Sequence, residues 1–236
     1  MLNLGLGIGI PFAQPQGASF SPLSLPNLLG WYDASDAASI TQASNLVSQW
    51  NDKSGNNNHL LQPTGANKFT TGLTTQNGLN ILTAAGNGYM SFTSSIALGA
   101  TSQYYFLVAE NDDTAAGTVF LVTASSTVYG CDIEGSVSGG TLYDSNGTVL
   151  TLQAANGSVN ILACNVNGSG RQINFNATTA SDASSGARTF SGLCNYVNPL
   201  AWLDGKVGEV IIGNAALTAP QIASVLAYLK TKWGTP

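Results

Sequence analysis

The acids best placed to act together in this sequence are Asp132 and Glu134, which alternate in the segment GCDIEGS. Residues two apart on a strand point to the same face, so this pair could serve as a general acid and a general base. A Ser-His-Asp triad would have to use His59, the single histidine, and the sequence has no GxSxG segment to present a serine. The glycine-rich segment GLGIGIP lacks the third glycine of a dinucleotide-binding fingerprint.

Oxygen-bearing side chains alternate in the loop that begins at Asp52, where Ser54, Asn56 and Asn58 follow. A calcium loop of the EF-hand type needs glycine at its sixth position and a bidentate glutamate at its twelfth, and this loop has neither. With one carboxylate in the set, the pattern favours a hydrogen-bonded Asx loop over a weak calcium site. We therefore predict no metal site and no cofactor.

The three cysteines are Cys131, Cys164 and Cys194, and they lack CxxC spacing. This favours small buried apolar residues over a metal site or a disulfide framework, although one pair could still form a bridge.

Charged residues make up 8% of the 236 residues, and the net charge is −5. The usual charged fraction is about 25%, so the surface must consist mainly of Ser, Thr, Asn, Gln and Gly. The seven Lys and Arg residues are scattered, and we expect no nucleic-acid partner because no basic stripe exists. No apolar run approaches the ~20 residues of a membrane span, so we expect no membrane association.

The clearest secondary-structure pattern lies at the end of the chain. Gly205–Gly213 alternates as a strand, with β-branched residues before the Gly213-Asn214 break. Thr218 is suited to the N-cap of a following helix, and Gln221 completes a capping box. Apolar residues then recur at helical spacing up to Gly234, which is a typical helix terminator. The pattern predicts one amphipathic helix at about 218–233.

Asn-Gly pairs punctuate the rest of the chain. Asn146-Gly147, Asn156-Gly157 and Asn167-Gly168 separate alternating segments, which predicts hairpins in an antiparallel meander. Asn77-Gly78 and Asn87-Gly88 separate shorter predicted strands.

An apolar run at Tyr104–Ala109 predicts a central strand that is buried on both faces. The acids that follow it, Glu110, Asp112 and Asp113, indicate a turn. A polar loop is expected before the segment VSQW. Three aspartates at strand ends are suited to capping turns: Asp33, Asp36 and Asp52.

The segment Met1–Pro26 carries no charge. Its apolar residues follow a period of two, with Phe12 after the last of them: Leu2, Leu4, Leu6, Ile8 and Ile10. Glycine and asparagine occupy the other positions, which is the pattern of a strand with almost no side chain on one face. Two interpretations stay open, a terminus that frays or packs on itself and an arm that binds a partner by strand addition. The segment lacks the basic start of a secretory signal, so we expect it in the mature chain.

Three segments of the sequence together carry a family resemblance: WYDASDAASIT, VSQWNDKSGNNNHLLQ and LDGKVGEVIIGNAALTAPQIASVLAYLKTKWG. They resemble the concanavalin A-like, laminin-G-like jelly-roll domains of many bacteriophage and bacterial surface proteins. The resemblance implies an all-β fold, a jelly-roll β-sandwich of two antiparallel sheets with its first and last strands close together and the C-terminal helix set against it. We expect an extended arm at 1–26 and this single domain at 27–236.

Glycoside hydrolases occur on this fold, and retaining hydrolysis uses two carboxylates roughly 5–5.5 Å apart. Such enzymes typically carry a Glu, Asp, Glu triplet, and the third acid is absent beside Asp132 and Glu134. The segment NILTAAGNGYMSF also lacks the Arg and Asp that related sequences often carry there. We therefore expect a protein without enzymatic activity.

Our leading hypothesis from the sequence is a structural protein of a phage virion, either a capsid decoration protein or a tail-associated protein. It would lie on the virion surface and contact other virion proteins and copies of itself through the arm. The alternative is a carbohydrate-binding module for host surface polysaccharide, and a glucanase-like enzyme is a third candidate. The rings available for stacking on sugars are Trp31, Trp50, Trp202, Tyr89, Tyr129 and Tyr143. Most of these rings are expected in the core, so no glycan-binding residue is assigned.

Overall fold

The computed structural model describes residues 20–112, 118–123, 129–134, 140–144, 148–154, 157–183, 185–194 and 203–236. Between residues 118 and 154 it describes how the strands pair. The one side chain that it describes in this range is that of Leu121. The arm residues singled out above lie outside the described residues: Leu2, Leu4, Leu6, Ile8, Ile10 and Phe12.

The described residues form 18 strands and one α-helix, together with short 3-10 turns. The strands in the first half are β1 Leu28–Asp33, β2 Ile40–Ala43, β3 Leu46–Trp50, β4 Leu60–Leu61, β5 Thr75–Gln76, β6 Leu79–Asn80, β7 Leu82–Gly88, β8 Met90–Leu98 and β9 Gln103–Asn111. Those in the second half are β10 Thr118–Thr123, β11 Tyr129–Glu134, β12 Gly140–Asp144, β13 Thr148–Ala154, β14 Asn160–Asn167, β15 Gly170–Phe175, β16 Thr178–Asp182, β17 Arg188–Leu193 and β18 Leu203–Gly213. The helix α1 spans Ala219–Trp233, and the 3-10 turns are Pro22–Ser24, Ala37–Ser39 and Gly65–Asn67.

Two large antiparallel sheets contain most of these strands. The first has the order β1-β18-β9-β14-β15-β16, with β7 also paired to β18. The second has the order β13-β12-β11-β10-β17-β8-β4-β3-β2, and β5 and β6 form a separate hairpin. Because β1 pairs with β18 from Leu28↔Gly213 to Asp33↔Glu209, the first and last strands are neighbours. The predicted two-sheet antiparallel sandwich with a C-terminal helix is confirmed.

The core lies between the two sheets. Every residue of β9 is buried, as predicted for a central strand covered on both faces. On the face toward the second sheet, Tyr105 packs edge-on against Phe190 of β17 with ring centroids 5.5 Å apart. Tyr32 of β1 likewise contacts Trp50 of β3 and Phe92 of β8, each at 5.8 Å. Aromatic side chains from both sheets therefore hold the layers together.

The helix α1 matches its predicted bounds. The Thr218 N–H donates to Gln221 Oε1 at 2.9 Å, and Gly234 ends the helix in the left-handed conformation with φ 63°. The buried stripe is Ile222, Val225, Leu229 and Trp233. Just before the helix, the Leu217 N–H donates to Asn165 Oδ1 of β14 at 2.9 Å, which fixes α1 on the outer face of the first sheet. Within the described ranges, no helix is long and apolar enough to cross a membrane.

Two Asn-Gly pairs form hairpin turns as predicted. Asn77-Gly78 joins β5 to β6 with φ values of 51° and 76°, and Asn167-Gly168 joins β14 to β15. A third pair, Asn146-Gly147, lies outside the described residues, but the strands around it, β12 and β13, pair antiparallel.

The hairpin prediction at Asn156-Gly157 is wrong, because the strands before and after it, β13 and β14, belong to different sheets. The strand break predicted at Asn87-Gly88 is present, since these residues end β7 and Tyr89 alone precedes β8, but the chain passes to the other sheet there and forms no hairpin. Gly88 is required there for close packing and not for a turn, because a Cβ atom would lie 2.6 Å from the Phe69 ring. An Asn-Gly pair thus has the same sequence signature whether it makes a turn or a close contact.

The residues just before β1 lie against the sandwich. The Phe20 ring packs at 5.3 Å from the ring of Tyr228 on α1. The Tyr104 hydroxyl donates to the Pro26 carbonyl at 3.0 Å. The division into an arm at 1–26 and a domain at 27–236 stays a prediction.

Candidate functional site

The aspartates at strand ends cap turns. The Asp33 carboxylate accepts from the Ser35 N–H at 3.0 Å, and the Asp36 carboxylate accepts from the Ala38 N–H at 3.1 Å. These bonds satisfy backbone donors where β1 ends and the first 3-10 turn after it begins. The motif that carried the family resemblance therefore has a structural use here.

The Asp52 loop has the bonding of the predicted Asx loop. Asp52 Oδ1 accepts from the N–H groups of Trp31 at 3.0 Å and Ser54 at 2.8 Å. Asp52 Oδ2 accepts from the Ser54 hydroxyl at 2.8 Å and the Asn58 N–H at 3.1 Å. His59 Nδ1 accepts from the Asp52 N–H at 3.1 Å. Both carboxylate oxygens are thus engaged by internal donors, and the described residues contain no cluster of acids, histidines and cysteines suited to a metal.

A buried carboxylate, Glu209 of β18, anchors the C-terminal helix. Its Oε1 accepts from Trp31 Nε1 at 2.8 Å and from the Tyr228 hydroxyl at 2.9 Å. Its Oε2 accepts from Trp233 Nε1 and Lys232 Nζ, both at 2.8 Å. Sequence reasoning missed this network. Its one signal was a lone acid inside the apolar run VGEVIIG.

The Asp33 carboxylate extends the hydrogen-bond network of Glu209, because Lys232 contacts both carboxylates. Lys232 Nζ lies 2.7 Å from Asp33 Oδ1, and Lys53 Nζ lies 3.2 Å from Asp33 Oδ2. Burial alone would raise the pKa of Asp33. The hydrogen bonds from Lys232 and Ser35 and the charges of the two lysines outweigh burial and hold this pKa below its ordinary value. The network therefore stabilises the fold and leaves little free charge for a ligand.

The tryptophans with described side chains are in the interior: Trp31, Trp50 and Trp233. The half-buried Tyr89 accepts a long hydrogen bond from Asn67 at 3.4 Å. Three other candidate rings, those of Trp202, Tyr129 and Tyr143, lie outside the described side chains. The tryptophans that are described thus pack the fold, as expected for most of these rings.

The acids after the central strand are arranged differently from the prediction. Glu110 belongs to β9 and is buried, whereas Asp112 follows the strand and Asp113 lies outside the described residues. Lys206 Nζ of β18 contacts Glu110 Oε1 at 2.6 Å. Burial, and then the hydrogen bond and charge from Asp112, raise the pKa of Glu110 despite that lysine. The turn prediction is wrong for Glu110, because β18 extends far enough to pair with it.

The alternating acids Asp132 and Glu134 do lie on one strand. They belong to β11, where Asp132 pairs with Tyr143 and Glu134 pairs with Thr141 of β12. Their side chains are outside the described set, so the expected carboxylate pair stays a prediction. Two of the cysteines, Cys164 and Cys194, are buried as expected, and burial raises the pKa of the Cys194 thiol.

An open cleft of about 290 Å³ lies at the edge of the second sheet. One wall comes from the chain at the β2–β3 hairpin: Ala37, Ile40, Gln42 and Asn45. The other wall comes from the segment before β7: Thr71, Gly72 and Asn80. The prediction of a polar loop before VSQW is wrong. Ile40–Ala43 forms the edge strand β2, and a tight turn at Ser44-Asn45 joins this strand to β3.

Two exposed amides stand in this cleft with hydrogen-bonding capacity to spare. Gln42 Oε1 accepts from the Asn45 backbone N–H at 2.8 Å. Across the described part of the chain, Gln42 Nε2 has no internal acceptor and the Asn45 side-chain amide has no internal partner. Each amide can therefore bind a ligand without breaking an internal bond.

The far wall of the cleft is held by Asn80. Asn80 Nδ2 donates to the Ala34 carbonyl at 2.6 Å and to Thr71 Oγ1 at 3.0 Å, while Oδ1 accepts from the Gly72 N–H at 2.7 Å. The bond to Ala34 connects the segment before β7 to the end of β1. Because the side-chain N–H and C=O groups of Asn80 are engaged in these internal bonds, Asn80 holds the wall in place.

The β5–β6 hairpin adds a second tie, to the end of α1. Gln76 Nε2 donates to the Trp233 carbonyl and Asn77 Nδ2 donates to the Lys232 carbonyl, both at 2.9 Å. These carbonyls are among the last of the helix, which have no intrahelical partner. The segment 71–80 is thus held at Asn80 and at the turn of the β5–β6 hairpin, and the cleft is preorganised. Sequence reasoning missed the cleft because its polar residues are ordinary turn and loop types.

Neither a protein-family model nor a curated protein sequence matches the chain. Solved structures match it in fold. One is domain 4 of AbnA, an extracellular GH43 arabinanase from Geobacillus stearothermophilus, in complex with arabinotriose. It has a TM-score of 0.58 at 14% identity, over 85% of this chain and 98% of that chain.

Two longer enzymes contain a similar sandwich. A Trypanosoma rangeli sialidase in complex with 2,3-difluorosialic acid has a TM-score of 0.60 at 9% identity, over 96% of this chain and 36% of that chain. A GH54 α-L-arabinofuranosidase soaked with a cyclic sulfate inhibitor has a TM-score of 0.55 at 14% identity, over 80% of this chain and 51% of that chain. The chain thus spans about a third of the sialidase and about half of the arabinofuranosidase. At these identities the likeness shows a shared β-sandwich fold.

Proposed function

We propose that this chain is a carbohydrate-binding β-sandwich that acts without catalysis, with the cleft beside the β2–β3 hairpin as its site. The proposal rests on two exposed amides, the Gln42 Nε2 group and the Asn45 side-chain amide, which have no internal partner among the described residues and lie beside the aliphatic surface of Ile40 and Ala37. Sugars present hydroxyl groups for hydrogen bonds and C–H groups for apolar contact, and such a cleft offers both.

The similar structures support this proposal at the level of architecture. The arabinanase domain is covered over 98% of its length by a chain of this size, so the sandwich recurs there as a complete domain of a carbohydrate-active protein. Among the described residues that line the cleft, none is a carboxylate. This lining supports binding over hydrolysis at the cleft, because glycoside hydrolysis generally needs two carboxylates.

A hydrolytic role would instead rest on Asp132 and Glu134 of β11. Glu134→Gln tests it, because this change removes a titratable carboxyl while keeping the shape of the side chain. Release of reducing sugar by the full chain that is abolished in Glu134→Gln would contradict the proposal of a protein without catalysis. No release by either protein on a panel of plant, fungal and bacterial polysaccharides is the expected outcome.

Glycan-array binding by the full chain tests the proposed function. Asn45→Gly is suited to the test because Asn45 has φ 65°, a conformation that glycine adopts without strain. Gln42→Glu keeps the oxygen that accepts from Asn45 and removes the free N–H donors. Thr41→Ala is the matched control, since Thr41 is exposed on the same strand and alternates away from the cleft.

We expect the two cleft variants to lose array signal at least tenfold, while Thr41→Ala keeps it. Equal signal from all four proteins would show that the glycan binds elsewhere. A flat array for the full chain would overturn the function itself.

A virion role is the second candidate, and the uncharged alternating arm at 1–26 is the observation that favours it. In this role the arm binds other virion proteins or further copies of the chain, and the sandwich displays its cleft outward on the particle surface. Capsid and tail locations both fit. Deletion of residues 1–19, which keeps the contacts of Phe20 and Pro26 with the sandwich, should leave a folded, sugar-binding domain that no longer joins the particle. Full retention of particle binding by that truncation would contradict this role.

A further inference from the structure

The apolar part of the cleft is aliphatic. Ala37 and Ile40 line one wall, Gly72 lines the other, and the side chain of Leu73 beside Gly72 is 64% exposed. No aromatic ring is among the described residues that line the cleft. A flat sugar face is usually bound by stacking on an aromatic ring. An aliphatic corner of this kind instead suits a small apolar substituent such as a methyl group.

The polar part of the cleft consists of primary amides. Gln42 offers the N–H donors of Nε2, and Asn45 offers an acceptor oxygen and N–H donors. A secondary amide on a ligand carries one N–H donor and one C=O acceptor, so it can bond to both side chains at once. An acetamido group combines this amide with a methyl group and matches both parts of the cleft.

The charge and the size of the cleft restrict the class of ligand further. No Lys, Arg or His is among the described residues of the cleft lining, and the whole chain has a net charge of −5. A sugar carboxylate would therefore find no cation here. A volume of about 290 Å³ is at the lower end of the range of ligand pockets, about 300–1,000 Å³, which suits one sugar ring.

We propose that the cleft binds a single uncharged N-acetylhexosamine residue, at the end or at a branch of a glycan. This assignment rests on the proposed carbohydrate-binding function and names the class of sugar. The acetamido carbonyl accepts from Gln42 Nε2, its N–H donates to Asn45 Oδ1, and its methyl group packs against Ile40. The hydroxyl groups of the ring remain near the open mouth of the cleft, so discrimination among stereoisomers is weak.

Titration of the full chain with methyl glycosides, followed by saturation-transfer NMR, tests the assignment. The probes are the methyl glycosides of N-acetylglucosamine, N-acetylgalactosamine, glucose and fucose, together with N-acetylneuraminic acid. For one ring without aromatic stacking, we expect a Kd on the order of 1 mM. We expect both N-acetylhexosamines to bind at least tenfold more tightly than glucose, and the strongest saturation transfer to reach the acetamido methyl.

Gln42→Glu and Asn45→Gly should each weaken N-acetylhexosamine binding about tenfold, and Thr41→Ala should not. Equal affinity for glucose and N-acetylglucosamine, or a preference for fucose, would overturn the N-acetylhexosamine assignment and leave carbohydrate binding standing. Preference for N-acetylneuraminic acid would overturn the claim of an uncharged ligand. Full binding by both cleft variants, with melting temperatures unchanged, would overturn the site. Failure of every monosaccharide together with a flat glycan array would overturn the proposed function as well.

Discussion

Replacing the buried Glu209 by glutamine should destabilise the fold strongly. The carboxylate accepts four hydrogen bonds of 2.8–2.9 Å, from two indole N–H groups, one phenol and Lys232. A glutamine keeps one oxygen, and its NH₂ group faces two donors that it cannot accept from. Each hydrogen bond to a charged group is worth about 1.5–3 kcal/mol, so losing two predicts a loss of about 3–6 kcal/mol. Breaking a buried ion pair falls in the same range, about 3–5 kcal/mol.

Urea unfolding followed by far-UV circular dichroism measures this loss without relying on the fluorescence of tryptophans inside the network. At about 2–4 °C per kcal/mol for a chain of this length, this loss corresponds to a fall in Tm of about 6–24 °C. The matched control is Glu110→Gln on the neighbouring strand β9. Burial and Asp112 raise the pKa of Glu110, so the fold penalises its charged form, and we expect removal of that charge to cost less than about 1.5 kcal/mol. Similar losses in the two variants, or a loss below about 1 kcal/mol for Glu209→Gln, would refute the anchoring role.

Three further predictions concern the fold and the Asx loop. The pKa of Asp33 is lower in the fold than its ordinary value of 3.8, so its contribution to stability is present above that value and is lost as the pH falls through the folded pKa. Asp33→Asn should therefore flatten the acid limb of a plot of urea midpoint against pH, and an unchanged limb would count against the ion pairs. Gly213→Ala places a Cβ atom 2.1 Å from the Tyr104 ring, and we expect a loss of about 1–3 kcal/mol in urea unfolding, where an unchanged midpoint would contradict the packing. Millimolar calcium should leave the Tm unchanged because the Asp52 oxygens have internal donors, and a rise of several degrees would reveal a calcium site.

The C-terminal helix and the central strand could be predicted from the sequence because each depends on local patterns. The α1 boundaries follow from a capping box at Thr218 and a glycine at 234, both of which act within a few residues. The buried strand at Tyr104–Ala109 follows from its apolar run. The sequence could not predict which strands share a sheet. The same Asn-Gly pattern lies between β14 and β15, which form a hairpin, and between β13 and β14, which belong to different sheets.

Less of the candidate site than of the fold could be predicted from the sequence. The cleft unites residues 37–45 with residues 71–80, and the tie between Asn77 and Lys232 spans 155 positions. Local patterns carry no information on such long-range pairs. The tryptophans at positions 31 and 50 are buried, as expected for most of the candidate rings, so they do not indicate where a sugar would bind. The amides of the cleft, in contrast, look like ordinary surface residues in the sequence.

The central claim is that the cleft beside the β2–β3 hairpin binds carbohydrate, and an assigned ¹H–¹⁵N NMR spectrum of the full chain, titrated with N-acetylglucosamine oligosaccharide, tests it most directly. The account predicts that the side-chain amide signals of Gln42 and Asn45 shift together with backbone signals of residues 40–45 and 71–73. Signals of the Asp52 loop and of α1 should stay in place. Shifts confined to any other surface, or an unchanged spectrum at millimolar sugar, would contradict the account.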